Sequence, residues 1–473
     1  MPFAREISRL LAGLLIAFGL TGAAALYWGV SGADTILLRP DNPRLVEAEA
    51  RLLRGQITDR SGIPLVISAP APGRSAQRQY IYPETNSVVG YASLRYGVSG
   101  VEAAFNALLR GDDRPRDWND FVQHQLLHRP RTGSDIQLTL DLAIQQALVR
   151  GLDDRTGAGV VLAVPSGQVL ALASLPTYDP NTLDADWERL ASDPGKPFFN
   201  RAVQGQYQPG GATQSLLIAG ALLRNYPLDT PLDTTRPVQV ADVRLSCAAL
   251  LPNRVLTLRD AYAFACPAPF ETLASDLGPE TLTAVFQTFA LDQTAMLPGL
   301  SVPADQRKSA LEPAQLATSL VKTALGQGEL TVTPLDMALI AAAVVNDGSA
   351  PQPHLLLASR APNTDTWRPA EEHPTPLAMT TANTARQLQD LMRLAVARGA
   401  AQNAARPSMD IGGHASLAYS GDQSYAWFIG FVTLGGRQGI AMALVIENSA
   451  DPGLAADIGG SVLAVAHERL SSR

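Results

Sequence analysis

The feature of this chain that most constrains its fold is a stretch without charge. From Leu10 to Gly32 there is no Asp, Glu, Lys or Arg, and Leu, Ile, Ala, Phe and Gly dominate. At about 1.5 Å rise per residue, a helix of that length spans a hydrocarbon core of roughly 30 Å. Arg5 and Arg9 precede it, Tyr27 and Trp28 fall where an interfacial aromatic belt would lie, and Asp34 is the first charge beyond it. That order predicts an N-terminus inside and everything beyond about residue 33 outside. Ala23, Ala24 and Ala25 offer small residues to a signal peptidase. The apolar run nevertheless exceeds the roughly 7–15 residues of a signal-peptide core, so an uncleaved anchor is the better reading. The bulk of the chain is exported either way.

Beyond the anchor the composition is that of a globular protein. With 473 residues, 46% hydrophobic and 17% charged, the chain has room for two or three units and a sizeable core. A net charge of −7 leaves no basic surplus to neutralise phosphates, which argues against nucleic acid as a partner. The character of the sequence divides it into an anchor at 1–33, a loop-rich region at 34–132 and a final domain at 133–473. In the middle region, Asn42 to Arg54 has helical spacing and Gln56 to Ser68 alternates like a strand pair turning at Ser61-Gly62. Ala69–Ser75 reads as a loop, and Ser99 to Gly111 as a short helix with Glu102 in its first turn.

From Gly133 onward, Gln137–Asp141 reads as a strand leading into a helix at Leu142–Leu152. Ala158–Ala163 and Val169–Ser174 read as strands joined by the turn at Pro165–Gln168. Gln214–Leu223 and Thr333–Asn346 are apolar helices, Ala426–Val432 and Gly439–Glu447 are strands, and a helix closes the chain at Gly459–Leu470. Strands early, helices in the middle, then strands again predict an α+β domain whose sheet joins both ends of the segment.

Few residues suit metal or thiol chemistry. Cys247 and Cys266 are either one bridge or two buried thiols. His124 and His128 stand one helical turn apart without the glutamate of a zinc protease between them, and read as surface histidines. No cofactor and no metal is expected.

Several segments in series resemble the penicillin-binding protein transpeptidases, in particular the short class B members. Arg54-Gly-Gln-Ile-Thr-Asp-Arg-Ser-Gly62 is similar to the family's membrane-proximal signature, and Tyr96–Glu102 with Leu108–Gly111 to its next element. Leu138–Asp141 with Gln145, then Gly159–Pro165, Gly167 and Leu170-Ala171, resemble the opening of its catalytic domain, closed by Pro176–Asn181. Gly326–Pro334 and Ala426–Phe431 resemble later segments. The resemblance implies a transpeptidase domain of the serine β-lactamase-like type, an antiparallel sheet flanked by helices. It would sit on an elongated N-terminal pedestal behind one transmembrane helix.

Three motifs carry this family's chemistry, and at each place this chain departs from it. Ser-x-x-Lys puts a nucleophile and its base on one helix face; here Tyr207-Gln-Pro-Gly210 leads into Gly211-Ala-Thr-Gln214. Gly211 has no hydroxyl, and Gln214 cannot act as a base near neutral pH. Where Ser-x-Asn should stand, Ala265 and Pro267 flank Cys266. Lys-Thr-Gly, which holds the substrate carboxylate, is replaced by His414, Ala415 and Ser416. His414 reads as a strand histidine facing solvent, with partial positive charge as the alternative. The chain has only three lysines. Lys196 comes four residues after Ser192, Lys308 precedes Ser309, and Lys322 opens a Lys-Thr-Ala well before the third motif, so no Ser-x-x-Lys pair is expected.

No catalytic residue is therefore assigned. Fold-shaping motifs kept and reaction-shaping motifs lost imply a pseudo-transpeptidase with a structural or regulatory role. By resemblance, its partner would be a SEDS-family glycan polymerase or another membrane protein of cell-wall synthesis. Two alternatives stand beside it: a cleft that binds peptidoglycan fragments without reacting, and an unorthodox nucleophile at Thr213, Ser215 or Cys266.

Overall fold

The computed structural model describes residues 4–30, 52–71, 74–113, 118, 122–123, 127, 130–232, 235–240, 242–293, 295–298, 300, 319–370, 375–436 and 438–471. The helical spacing at Asn42–Arg54 falls almost wholly outside them, as do His124 and His128. The chain forms two compact units. The smaller contains Met1–Leu53, Ser68–Gln77 and Pro115–Thr132. Its main element is helix α1, Ala4–Val30, whose Arg5–Trp28 stretch, charge-free from Leu10 on, has a mean hydropathy of 2.0 and no buried residue. Length and composition suit α1 to crossing a membrane.

The larger unit contains Arg54–Ile67, Arg78–Arg114 and Gly133–Arg473. Strand β1 (Ile57–Thr58) pairs antiparallel with β2 (Pro64–Ala71), Ile57 opposite Val66, across the turn at Ser61-Gly62. Strand β3 is Arg74–Tyr80. The stretch Ala69–Ser75, read above as a loop, thus lies largely in the ends of β2 and β3. The expected helix after Ser99 is broken in two, α2 (Gly100–Ala104) and a further turn at Asn106–Arg110. Strand β4 (Asp135–Leu138) runs parallel to β1, and its other edge takes β7 (Leu356–Arg360), with β8 (Arg368–Pro369) beyond it.

Glu102 ties this region together. It is fully buried, with Arg54 Nη2 at 2.7 Å from one carboxylate oxygen and Arg78 Nε at 2.6 Å from the other. Burial pushes the Glu102 carboxyl up, but the two guanidinium groups outweigh it and hold it below the usual carboxylate range.

The second sheet is the centre of the large unit. After helix α3 (Leu142–Leu152), capped by the Asp141 side chain, β5 (Gly157–Val164) and β6 (Val169–Leu175) form the expected hairpin, buried along both strands. The middle of the chain is helical: α4 (Gln214–Leu223), α5 (Leu258–Ala263), α6 (Ala268–Thr288), α7 (Leu320–Ala324), α8 (Pro334–Val345) and α9 (Ala382–Arg398). Strands β9 (Ile411–Ser420), β10 (Gln423–Gly435) and β11 (Gln438–Glu447) then return, and α10 (Pro452–Ser471) closes the chain. The order is β9-β10-β11-β5-β6, antiparallel throughout, with Ala443 of β11 opposite Val160 of β5. Early and late segments share one sheet, as the α+β reading requires. Helices α3 and α10 cover one face and α8 the other. Gly459 lets α10 close on β10, since a Cβ there would sit 2.1 Å from the Phe428 ring.

Candidate active-site cleft

Gly211, Gln214, Ala265, Pro267 and Ser416, far apart in the chain, meet in space. A short 3-10 turn, Gly210–Thr213, leads into α4 and carries Gly211 and Gln214 to the edge of β9. Its approach is fixed by retained polar contacts: Tyr207 donates to Glu447 at 2.7 Å, and the Trp427 indole N–H donates to the Gln208 carbonyl at 3.0 Å. Ala265, with φ at +49°, turns the chain out of α5, and Pro267 starts α6. The cysteine between them is joined to Cys247 in a disulfide. The open question about the cysteines resolves to one bridge, and Cys266 offers no thiol.

Gly211, Gln214, Ala265, Pro267 and Ser416 line a single cavity of about 40 Å³. That is room for a few water molecules, against the roughly 300–1,000 Å³ in which a small ligand is usually held. The cause is steric. A Cβ placed on Gly211 would lie 2.7 Å from the Ser416 Cβ and 3.7 Å from the Gln214 amide nitrogen. Ser416 thus fills the space that a side chain at 211 would need. Ala415 is buried and is not among the described residues that line the cavity.

His414 corrects the sequence reading. It does not face solvent: its side chain is fully buried and stacks on Tyr262 with ring centroids 4.4 Å apart. Its Nε2 lies 3.1 Å from the Gly211 carbonyl, so Nε2 carries the proton and donates it there. Burial lowers the His414 pKa to about 4, outweighing the hydrogen bond to Gly211. The ring is neutral at pH 7 and brings no positive charge to the cleft. Because the unfolded value lies near 6.5, the unfolded chain binds the proton first as the pH falls. Stability from this residue is therefore complete above about pH 6.5 and drains away towards pH 4, roughly 3 kcal/mol in all. Urea unfolding between pH 7 and 4.5 should show a smaller loss for His414→Gln than for the parent. Parallel pH curves would contradict a buried neutral histidine.

The other candidate nucleophiles are engaged in structure. The Thr213 hydroxyl is buried between the carbonyls of Gly210 at 2.8 Å and Ala324 at 2.6 Å. The Ser215 hydroxyl pairs with that of Tyr262 at 2.8 Å, also buried. One pair escapes the sequence reading: Ser319-Leu-Val-Lys322 does have Ser-x-x-Lys spacing. It stands at the start of α7, where the Ser319 hydroxyl lies 3.1 Å from that of Thr323 and Lys322 is exposed. Neither lines the cleft cavity, which α7's end reaches only through Leu325 and Gln327.

In this five-stranded sheet, flanked by helices, the edge strand β9 converges with the Gly210–Thr213 turn and the α5–α6 turn on one cleft. Residues 157–464 match the penicillin-binding protein transpeptidase domain, and residues 54–136 match the penicillin-binding protein A dimerisation domain. The chain belongs to the penicillin-binding protein transpeptidase family. It is 29% identical to the peptidoglycan D,D-transpeptidase PbpA of Mycolicibacterium smegmatis, over 98% of each chain. Among solved structures, it resembles a D,D-transpeptidase domain of a peptidoglycan glycosyltransferase from Eggerthella lenta, with a TM-score of 0.77, 26% identity and coverage of 90% and 100%. It is also similar to penicillin-binding protein A of M. tuberculosis, solved as an imipenem acyl-enzyme, with a TM-score of 0.77, 28% identity and coverage of 88% and 99%.

Proposed function

We propose that this chain serves peptidoglycan synthesis as a membrane-anchored pseudo-transpeptidase, a structural or regulatory component that performs no acyl transfer at its cleft. The observation that carries the reading is Gly211 facing the Ser416 side chain, with Gln214 one turn on. No hydroxyl stands beside an amine at that place. The members of a catalytic cluster act as a unit, and losing them costs on the order of 10⁶ in rate. The assignment of Gly211, Gln214, Ala265, Pro267, His414, Ala415 and Ser416 as degenerate motif positions is part of this proposal. So is the division into anchor 1–33, pedestal 34–132 and transpeptidase-like domain 133–473. The disulfide suits an oxidising compartment and supports placing the bulk of the chain outside the cell membrane. A SEDS-family glycan polymerase is the partner that the family resemblance favours. The small cavity speaks against the cleft as a sensor of cell-wall fragments.

The test is incubation of the full-length, membrane-embedded protein with a fluorescent penicillin, then denaturing electrophoresis. No labelled band is expected under conditions that label an active relative. A covalent adduct would overturn the reading, and mapping it would decide between Ser319 and the cleft residues.

A further inference from the structure

The chain between α4 and α5 makes an excursion that returns across the cleft. Its base is closed where the Leu232 N–H donates to the Leu256 carbonyl at 2.8 Å and Pro231 bridges to Thr257. Within it, Val238–Val240 and Val243–Leu245 pair as a small antiparallel hairpin, rooted by the buried Val238. Leu245, Ser246 and Ala248 then line the cleft cavity, and so do Ala265 and Pro267 from the α5–α6 turn. The Cys247–Cys266 disulfide joins these two parts of the lining, each cysteine standing between residues that face the cavity. Alongside it, the Ala248 N–H donates to the Phe264 carbonyl at 2.9 Å. The Arg236–Glu271 ion pair, at 3.0 Å, is solvent-exposed and adds little hold.

Two polar groups beneath the bridge favour opening. Gln214 Oε1 and Ser416 Oγ are buried, belong to residues that line the cavity, and have no hydrogen-bond partner among the described residues. Groups in that position have given up hydration without compensation, and an opened cleft returns it to them. The two sulfurs differ in access: Cys266 is fully buried, whereas Cys247 is partly exposed and follows the exposed Ser246. We infer that Cys247–Cys266 is a redox latch, whose reduction lets residues 245–249 lift from the cleft while the central sheet stays folded. The reductant is a protein dithiol on the same side of the membrane. One of its thiolates attacks Cys247 Sγ, and Cys266 leaves as the thiolate. The second thiol of the reductant then displaces Cys247. The dithiol ends as a disulfide, and its two protons end on the two cysteines.

The test is hydrogen exchange read by mass spectrometry on the full-length protein in detergent, with and without excess dithiothreitol. Two places report: residues 243–249, and the Tyr419 N–H, which donates to Gln327 Oε1 at 3.1 Å between two cavity-lining residues. Reduction should speed exchange at both about tenfold, leave β5 and β11 unchanged, and be reversed by reoxidation. The Cys247→Ser, Cys266→Ser double variant should exchange fast at both places whether or not reductant is present. A bridge that survives dithiothreitol until the central sheet itself unfolds would overturn the inference. So would equal exchange in the two redox states, or a rise spread evenly over β5 and β11, which marks a bridge that only stabilises the whole domain. Penicillin labelling reads chemistry and exchange reads motion, so this inference and the pseudo-transpeptidase reading fail separately.

Discussion

Glu102→Ala is expected to destabilise the large unit by about 3–5 kcal/mol, measured by urea or thermal unfolding. The carboxylate is fully buried between Arg54 and Arg78, so removing it leaves two guanidinium groups facing each other in a dry interior. Glu102→Gln should recover only part of the loss, since a neutral amide can accept one hydrogen bond but offers no charge. The pH dependence has a definite sign. The folded carboxyl is held below its unfolded value, so its contribution is present above about pH 4.3 and is lost as acid protonates it below that. The parent should therefore lose stability below pH 4 more steeply than Glu102→Ala. An alanine variant within 1 kcal/mol of the parent would mean that the buried pairings are not what holds β1 and α2 together.

The second large effect concerns the cleft. Gly211→Ser, the substitution that would restore a nucleophile, is expected to destabilise the protein by about 1–3 kcal/mol. The new Cβ would press within 2.7 Å of the Ser416 Cβ. Ser416→Gly removes that obstacle at a cost of roughly 0.5–1 kcal/mol for glycine in a strand. It also removes a buried hydroxyl that has no hydrogen-bond partner among the described residues. In the double variant the two changes should compensate, with a coupling energy of at least about 1 kcal/mol. Additive effects would show that positions 211 and 416 do not compete for space. Reviving chemistry would then take Gln214→Lys as well, because a serine alone has no base beside it.

How far these features are legible in the sequence depends on how local their causes are. The hairpin from Gly157 to Leu175 is readable because β-forming residues flank a turn of Pro, Ser and Gly, and those preferences act over a few residues. The anchor is readable because its criterion is length without charge. His414 is misread from sequence because alternation along β9 cannot reveal that Tyr262, far away in the chain, lies over that ring. The disulfide has two readings since pairing depends on where α5 and the Leu245–Ala248 stretch sit in space. Ser319 and Lys322 are missed when each lysine is judged by other neighbours than the residue three before it. The closure of the cleft needs coordinates, because nothing at 211 or 416 alone says that they compete for one volume.

The central sheet also has a bearing on biosynthesis. Its middle contact joins β5 to β11, strands separated by roughly three hundred residues. Such distant pairings form slowly, because a long loop must close before any of its contacts is gained. During synthesis β5 emerges early with one edge open, and its partner leaves the ribosome only near the end. The half-made sheet must therefore be shielded until synthesis is nearly complete, and truncation anywhere before Gln438 would leave that edge permanently available to other chains.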